Sequence, residues 1–131
     1  MTIARFTDIK GWQAARELVR AVYAVTQESP LARDFALRDQ IRRAAISVMT
    51  NIAEGFDRGS DRDFARFLDI ARASATEVKS LLFVALDAGY LTQETFDLIT
   101  QHAEKSQALI AAFQSYLRSP RAHEAEAPEW L

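Results

Sequence analysis

Five arginines in the middle of the chain have the chemistry to bind phosphate groups. They are Arg42, Arg43, Arg58, Arg62 and Arg66. A guanidinium group can donate two parallel hydrogen bonds to one phosphate, and such contacts position a protein on nucleic acid. Asn51 and Glu54 lie between the two halves of this set and would hold the corner that presents the arginines. The pattern predicts contacts with RNA or DNA whose affinity falls steeply with salt.

The same residues also allow a purely structural interpretation. Glu54 would then pair with Arg43 or with an arginine across the turn, and Asn51 would satisfy backbone groups near Gly55. The segment from Arg33 to Lys79 contains nine basic and eight acidic residues, a balance that favours a solvated or ion-paired surface. On this interpretation the protein is a protein–protein interaction scaffold that binds no nucleic acid.

Other kinds of chemistry have little support in the sequence. The chain has no Cys, which excludes disulfides and thiolate metal sites. His102 and His123 are the only histidines, and Ile99 stands where a Glu-x-x-His metal pair would need glutamate. No nucleophile–base pair, glycine-rich phosphate loop or zinc motif occurs. We therefore expect no enzymatic activity, no metal and no cofactor.

Length and composition indicate one domain. The chain has 131 residues, 49% of them hydrophobic, and a formal net charge of −2, which gives no overall basic footprint for nucleic acid. It contains no apolar run long enough to span a membrane, and its first residues lack the apolar centre of a signal peptide. We expect a cytoplasmic protein that does not associate with membranes.

The elements that must position the arginines are long helices, since only four glycines and three prolines interrupt the chain. Apolar spacing predicts a first helix over residues 11–27 and a second that starts between Arg33 and Leu37 and ends near Phe56. Gly55 and Gly59 are expected to supply the stop and the tight turn that follows. Ser60 then has the chemistry of an N-cap for the third helix.

Two further seams of apolar residues predict the third and fourth helices. The third helix carries Phe64, Leu68, Ala71, Ala75, Val78, Leu82 and Ala85. The fourth carries Phe96, Ile99, Ala103, Ser106, Ile110, Phe113 and Leu117. Gly89 fits a left-handed cap, and Thr92 with Glu94 starts the fourth helix. The expected fold is all-α, an antiparallel up-down-up-down four-helix bundle over residues 1–118. Residues 119–131 are expected to form a flexible tail unless Trp130 and Leu131 dock.

The second helix has more apolar surface than one bundle seam needs. Ile46, Met49 and Ala53 widen its apolar arc to roughly 200°, against about 100° for a surface helix. Ile70, Phe83 and Val84 also lie off the seam of the third helix. Such surfaces often mark interfaces, which predicts self-association, although scattered exposed apolar residues are normal on any protein.

Five ordered blocks of the sequence resemble a known protein family. They are Ile9-x-x-Trp12-Gln13-x-Ala15, Leu18-Val19-x-x-Val22-Tyr23, Gln40-Ile41-Arg42-Arg43-Ala44-Ala45-x-Ser47, Asn51-Ile52-Ala53-Glu54-Gly55 and Gly89-Tyr90-Leu91. Together they resemble the four-helix-bundle proteins encoded by intervening sequences in bacterial 23S ribosomal RNA genes. The resemblance spans about Phe6 to Leu117. Asp63 stands where the family more often has glutamate.

The resemblance implies a four-helix bundle that assembles as a ring-shaped homopentamer. A related branch includes the accessory protein of diversity-generating retroelements, a basic pentamer that works with reverse transcriptase and nucleic acid. This chain departs from that branch because it is mildly acidic. Two functions therefore stay open, a nucleic-acid or ribonucleoprotein scaffold and an interaction scaffold without nucleic acid.

Overall fold

A computed structural model describes residues 3–28, 30–119 and 127–131 of the chain. Within these residues the protein is all α-helical, as predicted. The four helices are α1 (Lys10–Gln27), α2 (Phe35–Phe56), α3 (Asp61–Asp87) and α4 (Gln93–Leu117). Short 3₁₀ turns at Phe6–Asp8 and Pro30–Arg33 precede α1 and α2. The helix bounds agree closely with those that apolar spacing predicts.

The helices form a square bundle in which neighbours along the chain are also neighbours in space. α1 packs on α2, α2 on α3 and α3 on α4, and α4 closes the bundle against α1. Because the connections are short, successive helices run in opposite directions. The α2–α3 turn and both termini of the described chain therefore lie at one end, and the α1–α2 and α3–α4 connections lie at the other.

Both predicted seams are buried. Every seam residue of α3 and α4 lies in the core, including Ser106, whose hydroxyl donates to the His102 carbonyl at 3.0 Å. α3 buries more than its seam, since Phe67, Ser74 and Leu81 are also inside. These three positions widen the face that α3 presents to its neighbours.

Side chains cap three of the helices. Ser60 Oγ accepts from the Asp63 amide and Thr92 Oγ1 from the Thr95 amide, which confirms the predicted starts of α3 and α4. Gly59 and Gly89 have φ angles of 84° and 78°, the left-handed values that favour glycine at a turn. The cap of α2 is Asp34, whose Oδ1 accepts from the Leu37 amide.

The prediction that Gly55 helps to stop α2 is wrong. Gly55 is a buried residue inside the helix, which continues to Phe56. A Cβ atom at this position would lie 2.6 Å from Phe67 Cβ and 3.0 Å from Phe64 Cδ1. Gly55 is thus needed for the close approach of α2 to α3, and Gly59 alone supplies the left-handed turn.

The last five residues dock on the bundle. The Leu131 side chain is only 3% exposed, and its carbonyl oxygen accepts from the Lys10 amide at the start of α1 at 2.6 Å. Trp130 packs edge-on against Tyr116 of α4, with 6.2 Å between ring centroids. His123 and the rest of 120–126 lie outside the described residues, so for them a flexible tail stays a prediction.

Candidate functional site

The α2–α3 corner consists of the last turn of α2, the turn at 57–60 and the first two turns of α3. The Asp57 amide donates to the Ala53 carbonyl and the Arg58 amide to the Gly55 carbonyl, so the chain leaves α2 without a break in hydrogen bonding. Ser60 then starts α3. This geometry places Arg58, Arg62 and Arg66 at the corner with exposed side chains.

Two of the corner arginines flank an aromatic ring. The guanidinium carbons of Arg58 and Arg66 lie 4.8 and 4.9 Å from the centroid of the Phe67 ring. Arg66 Nε also lies 3.8 Å from Asp63 Oδ1. A cation–π contact uses the flat face of the guanidinium group and leaves its N–H edges available for an anion. The ring thus orders these two arginines without occupying their donors.

Arg42 lies apart from the corner and is committed to the fold. Its Nε donates to Thr26 Oγ1 at 2.8 Å, and its guanidinium carbon lies 4.4 Å from the centroid of Tyr23. Thr26 in turn donates to the Val22 carbonyl of α1 at 2.7 Å. These contacts join α1 to α2 through a half-buried arginine, so Arg42 contributes to helix packing.

Arg43 and Arg62 are exposed and have no hydrogen bond or ion pair to any other described residue. Arg43 lies 13 residues before the end of α2, which is about 20 Å from the corner along the helix. The five predicted arginines therefore do not form one cluster: three meet at the corner, and Arg42 and Arg43 lie higher on α2.

Asn51 supports a contact between the two helices of the corner through Ser47, although not in the predicted way. Its Nδ2 donates to the Ser47 carbonyl at 2.8 Å and to Ser47 Oγ at 3.0 Å, and does not reach the backbone near Gly55. Ser47 Oγ shares a 2.7 Å hydrogen bond with Ser74 Oγ of α3. The resulting Asn51–Ser47–Ser74 chain fixes α2 against α3 nearly two turns behind the corner.

The prediction that Glu54 pairs with an arginine is also wrong, because Glu54 has no ion pair among the described residues. It borders an open surface depression together with Asp57 and Arg58. Asp57, Asp61 and Asp63 lie among the corner arginines as well, so the corner has mixed charge.

A polar network that the sequence did not indicate joins α3 to α4. Gln114 is 2% exposed, and its Nε2 donates to Asp69 Oδ1 at 2.6 Å and to the Ala65 carbonyl at 3.1 Å. Its Oε1 accepts from Arg72 at 2.9 Å. Gln114 follows seam residue Phe113 directly, and nothing in the local sequence indicates that its partners lie on α3.

Large apolar side chains remain exposed on the outside of the bundle. The exposed fractions are 64% for Phe35, 56% for Phe83, 55% for Leu98, 51% for Val84 and 40% for Ile70. The sequence-based expectation that Ile70, Phe83 and Val84 lie outside the core is therefore confirmed. Ile46, Met49 and Ala53 of α2, in contrast, are half-buried.

The described ranges contain neither a cluster of metal ligands nor a candidate membrane span. No group of three or more His, Asp or Glu side chains there is arranged to hold a metal ion. None of the helices described here is long and apolar enough to cross a membrane.

Comparison with known proteins agrees with this architecture. A crystal structure of a protein with unknown function from the S23 ribosomal protein family of Bacteroides thetaiotaomicron superimposes with a TM-score of 0.68 at 25% sequence identity. The match covers 80% of this chain and 94% of that one. No curated protein matches the sequence. A sequence profile of the 23S rRNA-intervening sequence proteins matches residues 7–112, which confirms the resemblance of the five sequence blocks. This chain belongs to the 23S rRNA-intervening sequence protein family.

Proposed function

We propose that this protein is a cytoplasmic, non-enzymatic scaffold that assembles from several copies of itself. The observation that supports this function is the set of large apolar side chains on the outside of the bundle. Phe35, Phe83, Leu98 and Val84 are each more than half exposed. Full burial of one such side chain contributes about 1.5–3 kcal/mol, so a few of them suffice to favour association. The family resemblance implies five copies.

Light scattering over about a hundredfold range of protein concentration tests the assembly. One monomer has a mass of 14.7 kDa. We expect an integral multiple of that mass at high concentration and dissociation upon dilution, as mass action requires. A monomer at every concentration would reject the scaffold.

Nucleic-acid binding is the second candidate function, and the state of the arginines favours it. Arg43, Arg58 and Arg62 are exposed and form no ion pair with any other described residue, and Arg58 is ordered by Phe67. An oligomer would repeat these groups around its surface and so multiply weak phosphate contacts. The mixed charge of the corner limits the affinity of a single copy.

Fluorescence anisotropy with labelled structured RNA and single-stranded DNA, at about 50 and 200 mM salt, tests this second function. We expect salt-sensitive binding that the combined variant Arg43→Gln, Arg58→Gln, Arg62→Gln weakens. The salt slope should fall by roughly 2–3 when three phosphate contacts are removed. Arg20→Gln is the matched control, because Arg20 already pairs with Glu17 at 2.8 Å. Absence of binding at low salt would reject nucleic-acid binding. The remaining function would be an interaction scaffold that binds no nucleic acid.

A further inference from the structure

The outer surface between α1 and α2, called here the α1–α2 surface, has an apolar strip along its middle. The strip consists of half-buried side chains from both helices: Trp12, Val19 and Tyr23 of α1 and Ile46, Met49 and Ala53 of α2. Spacings of three, four and seven residues keep each set on one face of its helix. Arg42, whose Nε donates to Thr26 of α1, precedes Ile46 by four residues, so the α2 set lies on the face toward α1.

The strip runs parallel to the two helix axes. Because Arg42 reaches Thr26, Met49, which is seven residues further along α2, is level with Val19 of the antiparallel helix α1. From Trp12 to Tyr23 the strip covers 11 residues of helical rise, which is about 16 Å or three turns. A third helix of three turns laid along α1 and α2 therefore matches the strip in length.

Four arginines border the strip, and two of them have free donors. The four are Arg16 and Arg20 of α1 and Arg38 and Arg42 of α2. The guanidinium carbons of Arg16 and Arg42 lie 5.9 and 4.4 Å from the ring centroids of Trp12 and Tyr23. Neither arginine forms an ion pair with another described residue. Since the rings take up the flat faces of these groups, N–H edges remain for an acceptor.

The acidic residues of α1 and α2 do not neutralise the α1–α2 surface. Each helix contains three basic residues, whereas α1 contains one acidic residue and α2 contains two. Three carboxylates at or beside the surface form ion pairs: Glu17 with Arg20, Asp39 with Arg38 and Asp8 with Arg5. The free donors of Arg16 and Arg42 therefore give the surface a positive charge.

The other charged residues of α2 belong to a different side of the bundle. Arg43 and Glu54 are spaced four and seven residues from Ser47, whose hydroxyl contacts α3, so both lie on the α3 side of α2. The exposed carboxylates of Glu28 and Asp57 lie at the two ends of the α1–α2 surface, just after α1 and α2. Its middle combines an apolar strip with cationic borders.

The residue types of this surface are those of a protein interface. Trp, Tyr, Met and Arg are enriched at such interfaces and Lys is depleted, and the basic residues bordering this strip are all arginines. Nucleic-acid bases would need free ring faces for stacking, but Arg16 lies over Trp12 and Arg42 over Tyr23. The aliphatic members of the strip offer no stacking at all. A protein partner therefore fits this surface better than RNA or DNA.

We propose that the α1–α2 surface binds an acidic amphipathic helix of a partner protein. The proposal rests on the proposed scaffold function and names the class of partner. The apolar face of the partner helix lies on the strip, with anchors spaced i, i+3 or i+4, and i+7 along three turns. Carboxylates beside that face accept hydrogen bonds from Arg16 and Arg42.

A second copy of this chain matches the α1–α2 surface less well. Two such surfaces repel each other, because both are positively charged. The carboxylates of α3, α4 and the residue that follows α4 stand among basic groups: Arg62, Arg66, Arg72, Lys79, Lys105 and Arg118. Three of the four apolar side chains that support self-assembly belong to α3 and α4, namely Phe83, Val84 and Leu98. Self-assembly through them leaves the α1–α2 surface accessible and repeats it for a multivalent partner.

Trp12 makes a direct test possible, because it lies in the strip, whereas Trp130 packs on Tyr116 of α4. In a Trp130→Phe background, Trp12 emission is followed during titration with a synthetic peptide of about 18 residues, helical, with leucine on one face and glutamate on the others. We expect a saturable change with a Kd of about 1–100 µM. In a Trp12→Phe background, Trp130 emission should stay unchanged.

Two control peptides separate charge from amphipathicity. One has lysine in place of every glutamate, and the other has the original composition in scrambled order. Each should bind at least about tenfold more weakly than the glutamate peptide, because the first is repelled by the arginines and the second has no continuous apolar face.

Charge reversal locates the binding surface. Arg16→Glu should weaken binding of the glutamate peptide by about 3- to 10-fold and strengthen binding of the lysine peptide. Arg62→Glu is the matched control, since it makes the same change of charge at an exposed arginine of α3 that forms no ion pair with another described residue. It should leave the affinity within about twofold of the starting protein. Circular dichroism verifies that both variants are folded.

Three results of these titrations would overturn the proposal: no response of Trp12 to the glutamate peptide, equal binding of the lysine peptide, or equal effects of Arg16→Glu and Arg62→Glu. A response of Trp12 to single-stranded RNA in place of the peptide would also overturn it. So would a loss of assembly mass caused by Arg16→Glu in light scattering, because a second copy would then cover the surface.

Light scattering of the same samples distinguishes failure of this proposal from failure of self-assembly. A monomer that binds the glutamate peptide through Arg16 would reject self-assembly and support the partner helix. An oligomer that does not bind the peptide would reject the partner helix and leave self-assembly intact.

Discussion

At the scale of single residues, Gly55 allows α2 to pack closely on α3. We expect Gly55→Ala to destabilise the protein by about 1–3 kcal/mol, because the new methyl group would overlap Phe67 Cβ at 2.6 Å. Gly11→Ala is the control: its Cβ would have no neighbour nearer than 3.7 Å, and helix propensity should give a gain of roughly 0.5–1 kcal/mol. Urea unfolding measures both. Equal effects of the same sign would show that packing at Gly55 is not limiting.

Tyr90 makes stability depend on pH in the alkaline range. Its hydroxyl donates to Asp34 Oδ2 at 3.1 Å, and this hydrogen bond, followed by repulsion between a phenolate and the Asp34 charge, raises the pKa of Tyr90. The folded-state pKa thus lies above the unfolded value of about 10. The stabilisation is fully present below that value and is lost as pH rises through the folded-state pKa.

The variant Tyr90→Phe isolates this contribution from the other tyrosines. Wild type should be more stable than Tyr90→Phe at neutral pH, and the difference should vanish as pH rises above the folded-state pKa of Tyr90. Urea unfolding of both proteins between about pH 8 and 11 measures it. A difference that stays constant over this range would refute the role of the Tyr90 proton.

Individual side-chain partners were the least predictable part of the site. Arg42 belongs to a basic pair in sequence, yet its partners Tyr23 and Thr26 come from α1 and become neighbours only when the helices pack. The side-chain amide of Asn51 donates to the Ser47 carbonyl one turn back in α2, because an Asn side chain on a helix reaches that carbonyl easily. The state of Glu54 could not be predicted, because nothing in the sequence distinguishes a carboxylate that stays in solvent from one that forms an ion pair.

At the scale of helices, caps decide where α2 and α3 begin. Ser60→Ala should cost about 0.5–2 kcal/mol, since the Asp63 amide loses its acceptor. Asp34→Ala should cost more, because it removes the cap of α2 and the hydrogen bond from Tyr90 together. Urea unfolding gives the order of the two losses, with Ser80→Ala on the exposed face of α3 as a control that should not destabilise the protein. The opposite order would mean that the Asp34–Tyr90 contact does not contribute.

The helices themselves were largely predictable, for a physical reason. The seams of α3 and α4 repeat at alternating three- and four-residue spacing, and every member is buried because that spacing keeps one face toward the core. Gly59, Gly89, Ser60 and Thr92 mark the turns by local chemistry. The hydrogen bonds of buried Gln114 could not be predicted, because its partners Asp69 and Ala65 lie on another helix.

At the scale of the whole molecule, residues 127–131 hold the start of α1 against α4. Leu131→Ala should destabilise the protein by about 1–2 kcal/mol, less than the 2–5 kcal/mol of a fixed core site, because the segment can detach instead of leaving a cavity. Glu129→Ala, an exposed neighbour, is the control. Urea unfolding gives the change in stability. In a Trp12→Phe background, red-shifted Trp130 emission would report detachment, and an unchanged spectrum and stability would contradict docking.

The hydrogen bond from the Lys10 amide to the Leu131 carbonyl also has a consequence for the order of the folding steps. It joins segments from opposite ends of the described chain, whereas the α1–α2, α2–α3 and α3–α4 contacts each join helices adjacent in sequence. Closing a long loop costs more entropy than closing a short one, and local contacts form faster. The three pairs of sequential helices should therefore form first during folding. The docking of Leu131 on the start of α1 should be the last step. In stopped-flow refolding, Leu131→Ala should accelerate unfolding and leave the refolding rate almost unchanged.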